Sequence, residues 1–324
     1  MEQNELKDIL GLFDTEGSMG EIKPLGEGLI NDTYLARNTE AGKPDYVLQR
    51  VNENVFPDVD MVMRNIQAVT SHIRRKLEAQ GMPDIDRRVL RFIPVRETGK
   101  LYTVAGGKYW RVMVFIPNAI TKQAVNAESS HAAGLAFGQF QSMLADLPVR
   151  LGETIKDFHN MEFRLRQLRE VLAADPCGRA MEPRVQEMLA VINDRAEEMC
   201  KAERMGREGI LPKRVCHCDT KVNNMLFDDH DNVLCVIDLD TVMPNFIFSD
   251  YGDFLRTGAN YVAEDCPDMQ KVGFNMDIFR AFTKGYLKGA GSFLLPVEIE
   301  NLPYAAALFP FMQSVRFLWD YISG

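Results

Sequence analysis

The most constraining feature of this sequence is a short segment, residues 217–238, in which polar side chains frame two apolar runs. Residues 225–227 and 233–237 have the residue types and length of β-strands. Between them lies Asp228-Asp229-His230-Asp231-Asn232, a composition typical of a turn. The segment is therefore predicted to fold back on itself as a β-hairpin.

The predicted hairpin brings oxygen-bearing side chains to its open end. A turn centred near residues 230 and 231 sets Asn224 nearly opposite Asp238, and Asp219 lies in the loop that enters this end. Two carboxylates and a carboxamide oxygen suit Mg²⁺, which prefers hard oxygen ligands and retains several waters. The same cluster leaves one carboxylate to accept a proton. The pattern thus indicates a metal-assisted site that includes a base.

The neighbouring Cys216-His217-Cys218 segment raises zinc as an alternative metal. A structural zinc site is typically built from CxxC-type spacing and a second pair of ligands, so buried thiols beside an important loop are the favoured interpretation. The six cysteines have no regular spacing and are predicted to be reduced thiols of a cytoplasmic protein. They occupy positions 177, 200, 216, 218, 235 and 266.

The predicted secondary structure changes near Pro117, from mainly strands before it to mainly helices after it. The first part is predicted to contain several strands and one amphipathic helix, because Val62, Ile66, Val69, Ile73 and Leu77 recur at helical spacing. The predicted strands cover residues 22–36, 45–52, 88–96, 100–105 and 109–116. Helical stripes dominate the second part, interrupted by a β-rich interval at 214–239. We expect an α+β protein of two lobes, residues 1–117 and 118–324, with the ligand in the cleft between them.

The charge balance argues against several classes of partner. The 324 residues carry 37 Lys and Arg against 46 Asp and Glu, a net charge of −9, whereas nucleic-acid binders need clustered positive charge. No run approaches the roughly 18 apolar residues of a membrane span, and the N-terminus lacks the basic and apolar regions of a signal peptide. We therefore expect neither nucleic acid nor membrane as a partner, and nothing in the sequence indicates an oligomeric state.

The ordered motifs resemble the aminoglycoside phosphotransferase and choline kinase superfamily, and within it the N-acetylhexosamine 1-kinases most. The resemblance spans nearly the whole chain and rests on residues 26–34, 46–52, 217–224, 236–244 and 250–256. It implies a two-lobed, protein-kinase-like fold: an N-terminal mixed β-sheet lobe with one long helix that binds the nucleotide, and a larger, mainly helical C-terminal lobe with the catalytic loop and acceptor site. It also implies ATP and Mg²⁺ as cofactors.

The resemblance assigns roles to the residues of the loop and hairpin. Asp219 would be the base that orients and deprotonates the acceptor hydroxyl. Asn224 and Asp238 would hold Mg²⁺ on the ATP phosphates. Asp240 would either contact these metal ligands or bind a second metal ion. His217 is expected to brace the loop by hydrogen bonding, with a direct catalytic role as the alternative.

The nucleotide clamp departs from the usual kinase pattern. Gly26 and Gly28 predict a loop whose backbone covers the phosphates, with Asn31 and Thr33 as side-chain donors; a hairpin with a polar tip is the alternative. The strand lysine of kinases is absent, and Arg50 takes its place as the candidate phosphate contact, unless it is simply an exposed arginine. The following helix carries no glutamate to complete the usual Lys–Glu ion pair.

The acceptor site is expected in the helical lobe, where Arg256, Arg316 and Tyr321 are candidate substrate contacts; burial of the C-terminal helix on the lobe core is the alternative for its aromatic residues. The predicted function is an ATP- and Mg²⁺-dependent kinase of a small-molecule sugar, with the anomeric hydroxyl of an N-acetylhexosamine as acceptor. The alternatives are an aminoglycoside- or choline-type kinase, and a non-catalytic nucleotide- or sugar-binding module on a degenerate kinase fold.

Overall fold

A computed structural model describes residues 2–26, 30–263 and 266–324. The chain divides into two compact units, neither of which is a continuous stretch of sequence. The first comprises Met1–Thr121, Asp146–Ile155 and Met225–Val242, and the second comprises Lys122–Ala145, Lys156–Asn224 and Met243–Gly324. The assignment of nucleotide binding to residues 1–117 and acceptor binding to 118–324 stays a prediction.

A five-stranded sheet forms the centre of the first unit. Its strands are β1 (Met19–Pro24), β2 (Asp32–Asn38), β3 (Tyr46–Val51), β4 (Thr103–Ala105) and β5 (Lys108–Val114). They lie in the order β1-β2-β3-β5-β4, and every neighbouring pair is antiparallel, so the sheet is not the mixed one predicted. Short connections join β1 to β2, β2 to β3 and β4 to β5, which favours antiparallel neighbours. The strand predicted at 88–96 is wrong: this stretch contributes only isolated bridges at Phe92 and Val95.

The first unit also contains two helices, α1 (Gln3–Gly11) and α2 (Val59–Ala79). The side chain of Asp58 accepts a hydrogen bond from the Met61 amide at 2.9 Å and so caps the start of α2. The apolar stripe that predicted this helix is buried along its whole length, from Val62 to Leu77. A separate apolar core joins α1 to the sheet and includes Phe13, Leu48, Trp110 and Val112. The predicted long helix is therefore confirmed, whereas α1 was not predicted.

The predicted hairpin is present in the first unit as β7 (Met225–Phe227) and β8 (Val233–Val236), and β6 (Arg214–Cys216) precedes it in the second unit. Met225 pairs with Val236 and Leu226 with Cys235, which is the register expected from a turn at 230–231. Asp238 follows two residues after β8 in left-handed conformation, with φ of 58°. It precedes a short 3₁₀ turn at Leu239–Thr241.

The second unit is mainly helical. A two-stranded ribbon pairs β6 with β9 (Met243–Asn245). Its helices are α3 (Ala127–Leu144), α4 (Met161–Ala174), α5 (Pro183–Met199), α6 (Lys201–Arg207), α7 (Phe248–Gly258), α8 (Met276–Ala290), α9 (Pro296–Glu300) and α10 (Leu302–Ser323). One apolar core joins α4, α5 and α10. Throughout the described residues, no helix is long and apolar enough to cross a membrane.

Helices α3 and α8 approach each other through glycines spaced four residues apart on each helix. A Cβ added at Gly134 would lie 2.2 Å from the Phe282 carbonyl oxygen, and one at Gly285 would lie 2.0 Å from that of His131. Gly138 and Gly289 meet backbone atoms at 2.6 Å in the same way. Because real Cβ contacts are never this short, no larger residue fits without separating the helices. This contact fixes α3, which packs beside β6.

Candidate active site

The loop that follows β6 is held in place by two carboxylates of α7. The Asp250 side chain accepts hydrogen bonds from the amides of His217 at 3.0 Å and Cys218 at 2.8 Å, and from the Gln141 side chain at 2.7 Å. The Asp253 carboxylate accepts one from the Thr220 amide at 2.9 Å. Burial raises the pKa of Asp250, and these hydrogen bonds offset only part of that effect. The loop conformation is therefore fixed from beneath by α7.

His217 braces this loop. Its ring is fully buried and lies edge-on to Phe137 and Phe140, at centroid distances of 5.9 and 6.0 Å. Its Nδ1 accepts a hydrogen bond from the Asp219 amide at 3.2 Å, which assigns the proton of the neutral ring to Nε2. The side chain thus orients the backbone of Asp219, and its burial removes it from contact with a substrate.

The Asp219 carboxylate is held at both oxygens and remains 19% exposed. Asn224 Nδ2 donates to one oxygen at 3.0 Å, and Lys221 Nζ lies 3.1 Å from the other. Burial lowers the pKa of Lys221, but the charge and hydrogen bond of Asp219 outweigh it, so the pKa is raised and the ammonium is retained. The sequence analysis gave Lys221 no role. Its position two residues after Asp219 was the feature that could have indicated one.

Asn224 and Asp238, two of the residues predicted to hold magnesium, each carry an oxygen atom suited to that ion. Both hydrogen bonds of Asn224 use its Nδ2, so Oδ1 is the atom that can serve a cation. Asp238, in the first unit, carries an exposed carboxylate. These are the hard donors that Mg²⁺ prefers, with water or phosphate oxygens completing its shell. Within residues 2–26, 30–263 and 266–324, no three His, Cys, Asp or Glu side chains cluster as metal ligands, and this gives the zinc alternative no support.

Asp240 occupies a different environment from the one predicted. Its side chain is 2% exposed and forms a bidentate ion pair with the equally buried guanidinium of Arg111, one contact of which measures 3.0 Å. Asn31 Nδ2 donates to the same carboxylate at 2.7 Å. Since both oxygens are taken by these donors, we do not assign Asp240 to a metal.

Arg111 on β5 is the second residue that sequence reasoning missed. Its guanidinium also donates to Gln49 Oε1 at 3.0 and 2.9 Å, and Gln49 is its neighbour across the β3–β5 ladder. The network supplies a buried ion pair in the sheet unit, although the expected Lys–Glu partners are absent. An arginine inside the otherwise apolar strand Trp110–Val114 was the available signal, since such a charge is buried only when paired.

The predicted phosphate contacts are only partly arranged as expected. Gly26 has a φ of 72°, which glycine adopts readily, whereas Gly28 lies outside the described residues. Thr33 Oγ1 accepts from Gln49 Nε2 at 3.0 Å, and Asn31 uses its amide group on Asp240. Arg50 lies opposite Asp32 across the β2–β3 ladder and forms an ion pair of 2.5 Å with it, at 39% exposure. A phosphate-binding role for Arg50 stays a prediction.

The sequence matches the phosphotransferase enzyme family over residues 21–282, which is most of its length. This chain is a member of the phosphotransferase enzyme family.

Solved structures share the fold of this phosphotransferase at low sequence identity. An amicoumacin kinase in complex with AMP-PNP, Ca²⁺ and Ami has a TM-score of 0.61 and 15% identity, over 100% of this chain and 86% of that one. The GDP and kanamycin complex of APH(2″)-IIia has a TM-score of 0.61 and 13% identity, over 99% and 93%. A microcompartment-associated aminopropanol kinase has a TM-score of 0.55 and 14% identity, over 98% and 93%. The predicted kinase-like fold is confirmed.

The phosphotransferase places its predicted acceptor contacts in two different environments. Arg256 on α7 donates to the Asp253 carboxylate at 3.2 and 3.0 Å, and Arg316 on α10 donates to Gln313 at 3.3 Å. Both guanidinium charges act on His159, together with the opposing charge of Asp219. These residues therefore share one region of the second unit with the loop carboxylate.

Tyr321 does not join that group. Its hydroxyl donates to Glu182 at 2.8 Å, and its ring lies under the Arg179 guanidinium at 4.7 Å. Arg316 and Tyr321 are five residues apart on one helix, so their side chains are separated by about 140° around the axis. The prediction of both as contacts of one substrate overlooked this rotation.

Proposed function

We propose that this phosphotransferase transfers the γ-phosphoryl group of ATP, as its Mg²⁺ complex, to the anomeric hydroxyl of an N-acetylhexosamine or a related sugar. The observation that carries the proposal is the Asp219 carboxylate, partly exposed and held between Asn224 and Lys221 on a loop anchored to α7. A carboxylate fixed in this way can orient a hydroxyl and accept its proton without rearrangement.

The residues divide the chemistry among them. Asp219 receives the acceptor hydroxyl proton as the oxygen attacks phosphorus and the bond from phosphorus to the ADP oxygen breaks, while the Lys221 ammonium, 3.1 Å away, fixes the position of the carboxylate. Asn224 and Asp238 are the residues that would hold a magnesium ion, and the ion would supply neutralisation of the phosphate charge. His217 and Asp250 keep the loop in this conformation.

The nucleotide contacts belong to the first unit. The backbone around Gly26 covers the phosphates and Arg50 contacts them, which requires its guanidinium to leave Asp32; the exposed location of that pair makes the exchange inexpensive. The Arg111–Asp240 ion pair organises β5 and the turn after Asp238 rather than touching the nucleotide, because its side chains are buried.

The choice of a sugar acceptor rests on the resemblance of the motifs and on acidity. An anomeric hydroxyl loses its proton more readily than an ordinary alcohol, so one carboxylate base suffices. Solved structures with the same fold include an amicoumacin kinase and an aminopropanol kinase, so other hydroxyl compounds are competing acceptors. The retention of Asp219, Asn224 and Asp238 together favours an enzyme over a non-catalytic binding module.

The decisive experiment is a coupled ADP-release screen with Mg-ATP against N-acetylglucosamine, N-acetylgalactosamine, other hexoses, choline and aminoglycosides. Asp219→Asn is expected to lower kcat by about 10²- to 10⁴-fold on the acceptor that is used. Asp229→Asn is the matched control, because Asp229 is exposed in the hairpin turn. Turnover that survives Asp219→Asn would exclude the mechanism, and turnover of choline or aminoglycosides alone would exclude the sugar assignment.

A further inference from the structure

Two arginines of the second unit have only neutral partners. Arg164 on α4 donates to the Phe158 carbonyl at 2.9 Å and to Gln167 at 3.0 Å, and Arg316 on α10 donates to Gln313 at 3.3 Å. No carboxylate of the described residues lies within ion-pair distance of either guanidinium. Arg256, by contrast, is neutralised by Asp253 at 3.0 Å. Neither guanidinium therefore forms an ion pair within the described part of the chain, although the charges of Asp157 and Asp320 act on Arg164 from a greater distance.

The same region contains nitrogen atoms that are shielded from solvent and lack a hydrogen-bond partner. They are Arg164 Nε and His159 Nδ1. The two side chains are connected through Phe158, whose carbonyl binds Arg164 and whose ring stacks on His159 at 4.3 Å. The other face of the region is α10, where Phe309 meets the His159 ring at 4.9 Å. Buried polar atoms of this kind are normally paired, so their lack of partners points to a ligand.

Charged side chains of both signs act on His159 and Arg164, and three of them are arginines. Burial and the charge of Arg316 lower the pKa of Arg164 to about 10, against the opposing charges of Asp157 and Asp320. Burial, Arg316, Arg164 and Arg256 lower the pKa of His159 to about 3, and Asp219 acts in the opposite sense. His159 is therefore neutral at pH 7 and available as a hydrogen-bonding group, while the guanidiniums repel each other until an anion arrives.

We propose that His159, Arg164 and Arg316 form a subsite for an anionic group, a carboxylate or a phosphate, carried by the acceptor molecule. The proposal rests on the proposed function, because it assumes that the acceptor hydroxyl lies at Asp219. Guanidinium groups bind planar carboxylates and phosphates with paired hydrogen bonds, and Arg164 Nε and His159 Nδ1 supply the missing interactions. Among the sugars covered by the proposed function, the preferred acceptor is then one that carries a carboxylate or a phosphate, such as an N-acetylhexosamine 6-phosphate.

The subsite also determines which acceptors are rejected. Choline and aminoglycosides are cations, and either would add positive charge beside Arg164 and Arg316. A neutral sugar would leave both guanidiniums with neutral partners only and the two buried nitrogens without a partner. Sites built to pair with a polar group discriminate strongly against analogues that lack it. We therefore expect the anionic member of a matched pair of sugars to be preferred.

The test uses acceptor pairs that differ in one group: glucose with glucuronate, and N-acetylglucosamine with its 6-phosphate. The full chain is assayed by ADP release as wild type, Arg164→Gln, Arg316→Gln and Arg316→Lys, with Arg169→Gln as control because Arg169 is an exposed arginine of the same helix. The anionic member of at least one pair is expected to have a kcat/KM about 10- to 100-fold higher. Each Gln variant should remove that preference through KM, and Arg316→Lys should restore part of it.

Binding is measured separately by calorimetry, with glucuronate and the 6-phosphate as probes in the absence of nucleotide. Thermal unfolding of each variant establishes that it folds. Equal use of both members of each pair, with Gln variants that slow both equally, overturns the subsite while the kinase assignment stands. No turnover of any acceptor, with anion binding that is lost in the Gln variants, supports the anion subsite and overturns the proposed sugar acceptors. Neither turnover nor anion binding overturns both.

Discussion

At the scale of single residues, the position of the Asp219 carboxylate depends on Lys221, a residue of the same loop to which the sequence analysis gave no role. Lys221 lies 3.1 Å from Asp219 and is retained as a cation by that charge. We predict that Lys221→Met lowers kcat by about 10- to 100-fold, because it removes a charge-assisted hydrogen bond from the base. Lys221→Arg should keep part of the rate. Steady-state kinetics with saturating Mg-ATP measures this, and an unchanged kcat in Lys221→Met would contradict it.

A second residue-scale prediction concerns Arg111 and Asp240. Asp240→Leu leaves the Arg111 guanidinium buried without its carboxylate and is expected to lower the free energy of unfolding by about 3–5 kcal/mol. The double variant Arg111→Met/Asp240→Leu removes both charges and should recover most of that loss. Urea denaturation measures both.

The control for that pair is an exposed ion pair of the same sheet. Arg37→Gln removes the partner of Asp45 at a position where the arginine is 60% exposed, and it should cost less than about 1 kcal/mol. If the buried and exposed substitutions cost the same, the Arg111–Asp240 pair does not organise the first unit. A loss of Mg²⁺ affinity with unchanged stability would instead restore Asp240 as a metal ligand.

At the scale of elements, the α3–α8 contact is held by backbone proximity rather than by side-chain volume. Gly285→Ala would place a methyl group 2.0 Å from the His131 carbonyl oxygen, so we expect destabilisation of about 1–3 kcal/mol or more. Gly11→Ala is the control, because a Cβ there meets nothing within 4 Å at the end of α1. Thermal unfolding should show a lowered Tm only for Gly285→Ala; an unchanged Tm there would mean that the helices separate without cost.

The sequence predicted the elements whose pattern is local. The apolar stripe from Val62 to Leu77 and the turn at 228–232 each determine their own structure, so α2 and the register of the β7–β8 hairpin were predicted correctly. Residues 88–96 have the composition of a strand, but only Phe92 and Val95 form bridges, so composition alone was insufficient. Pairing depends on what lies alongside, which a single segment does not encode.

The parts of the candidate site that escaped prediction depend on contacts between distant residues. Arg111 and Asp240 are 129 positions apart, and neither stands out until the fold places them together. The loop motif around Asp219 was recognisable because its spacing is local, whereas the carboxylates of α7 that hold it act from about 30 residues away. A substrate contact of Tyr321 stays a prediction, and its separation from Arg316 around α10 follows from helix rotation, which residue type alone does not reveal.

At the scale of the whole molecule, the net charge of −9 gave no sign of Arg164 and Arg316, two arginines that form no ion pair with any described residue. Charge that is averaged over a chain excludes extended polyanion surfaces but says little about a site of a few residues. Arg164 and Arg316, which form no such pair, belong to α4 and α10, two helices that share one apolar core.

Burial of His159, together with the nearby arginine charges, makes the stability of the protein dependent on pH. The folded-state pKa of His159 is about 3, below the value of 6.5 in an unfolded chain. Between these two values the unfolded state binds one more proton than the folded state, so stability is lost as pH falls from 6.5 toward 3. For this single group, the loss between pH 7 and pH 5 is about 2 kcal/mol.

We therefore predict that His159→Gln loses less stability than the wild type between pH 7 and pH 5, by about 2 kcal/mol, because glutamine takes up no proton on unfolding. Urea midpoints at the two pH values measure the difference. His230→Gln is the control, since His230 is 79% exposed in the hairpin turn and should leave the pH dependence unchanged. Parallel pH profiles for the wild type and His159→Gln would show that His159 takes up its proton as readily in the folded state as in the unfolded chain, which contradicts the buried, neutral His159 ring that the anion subsite uses.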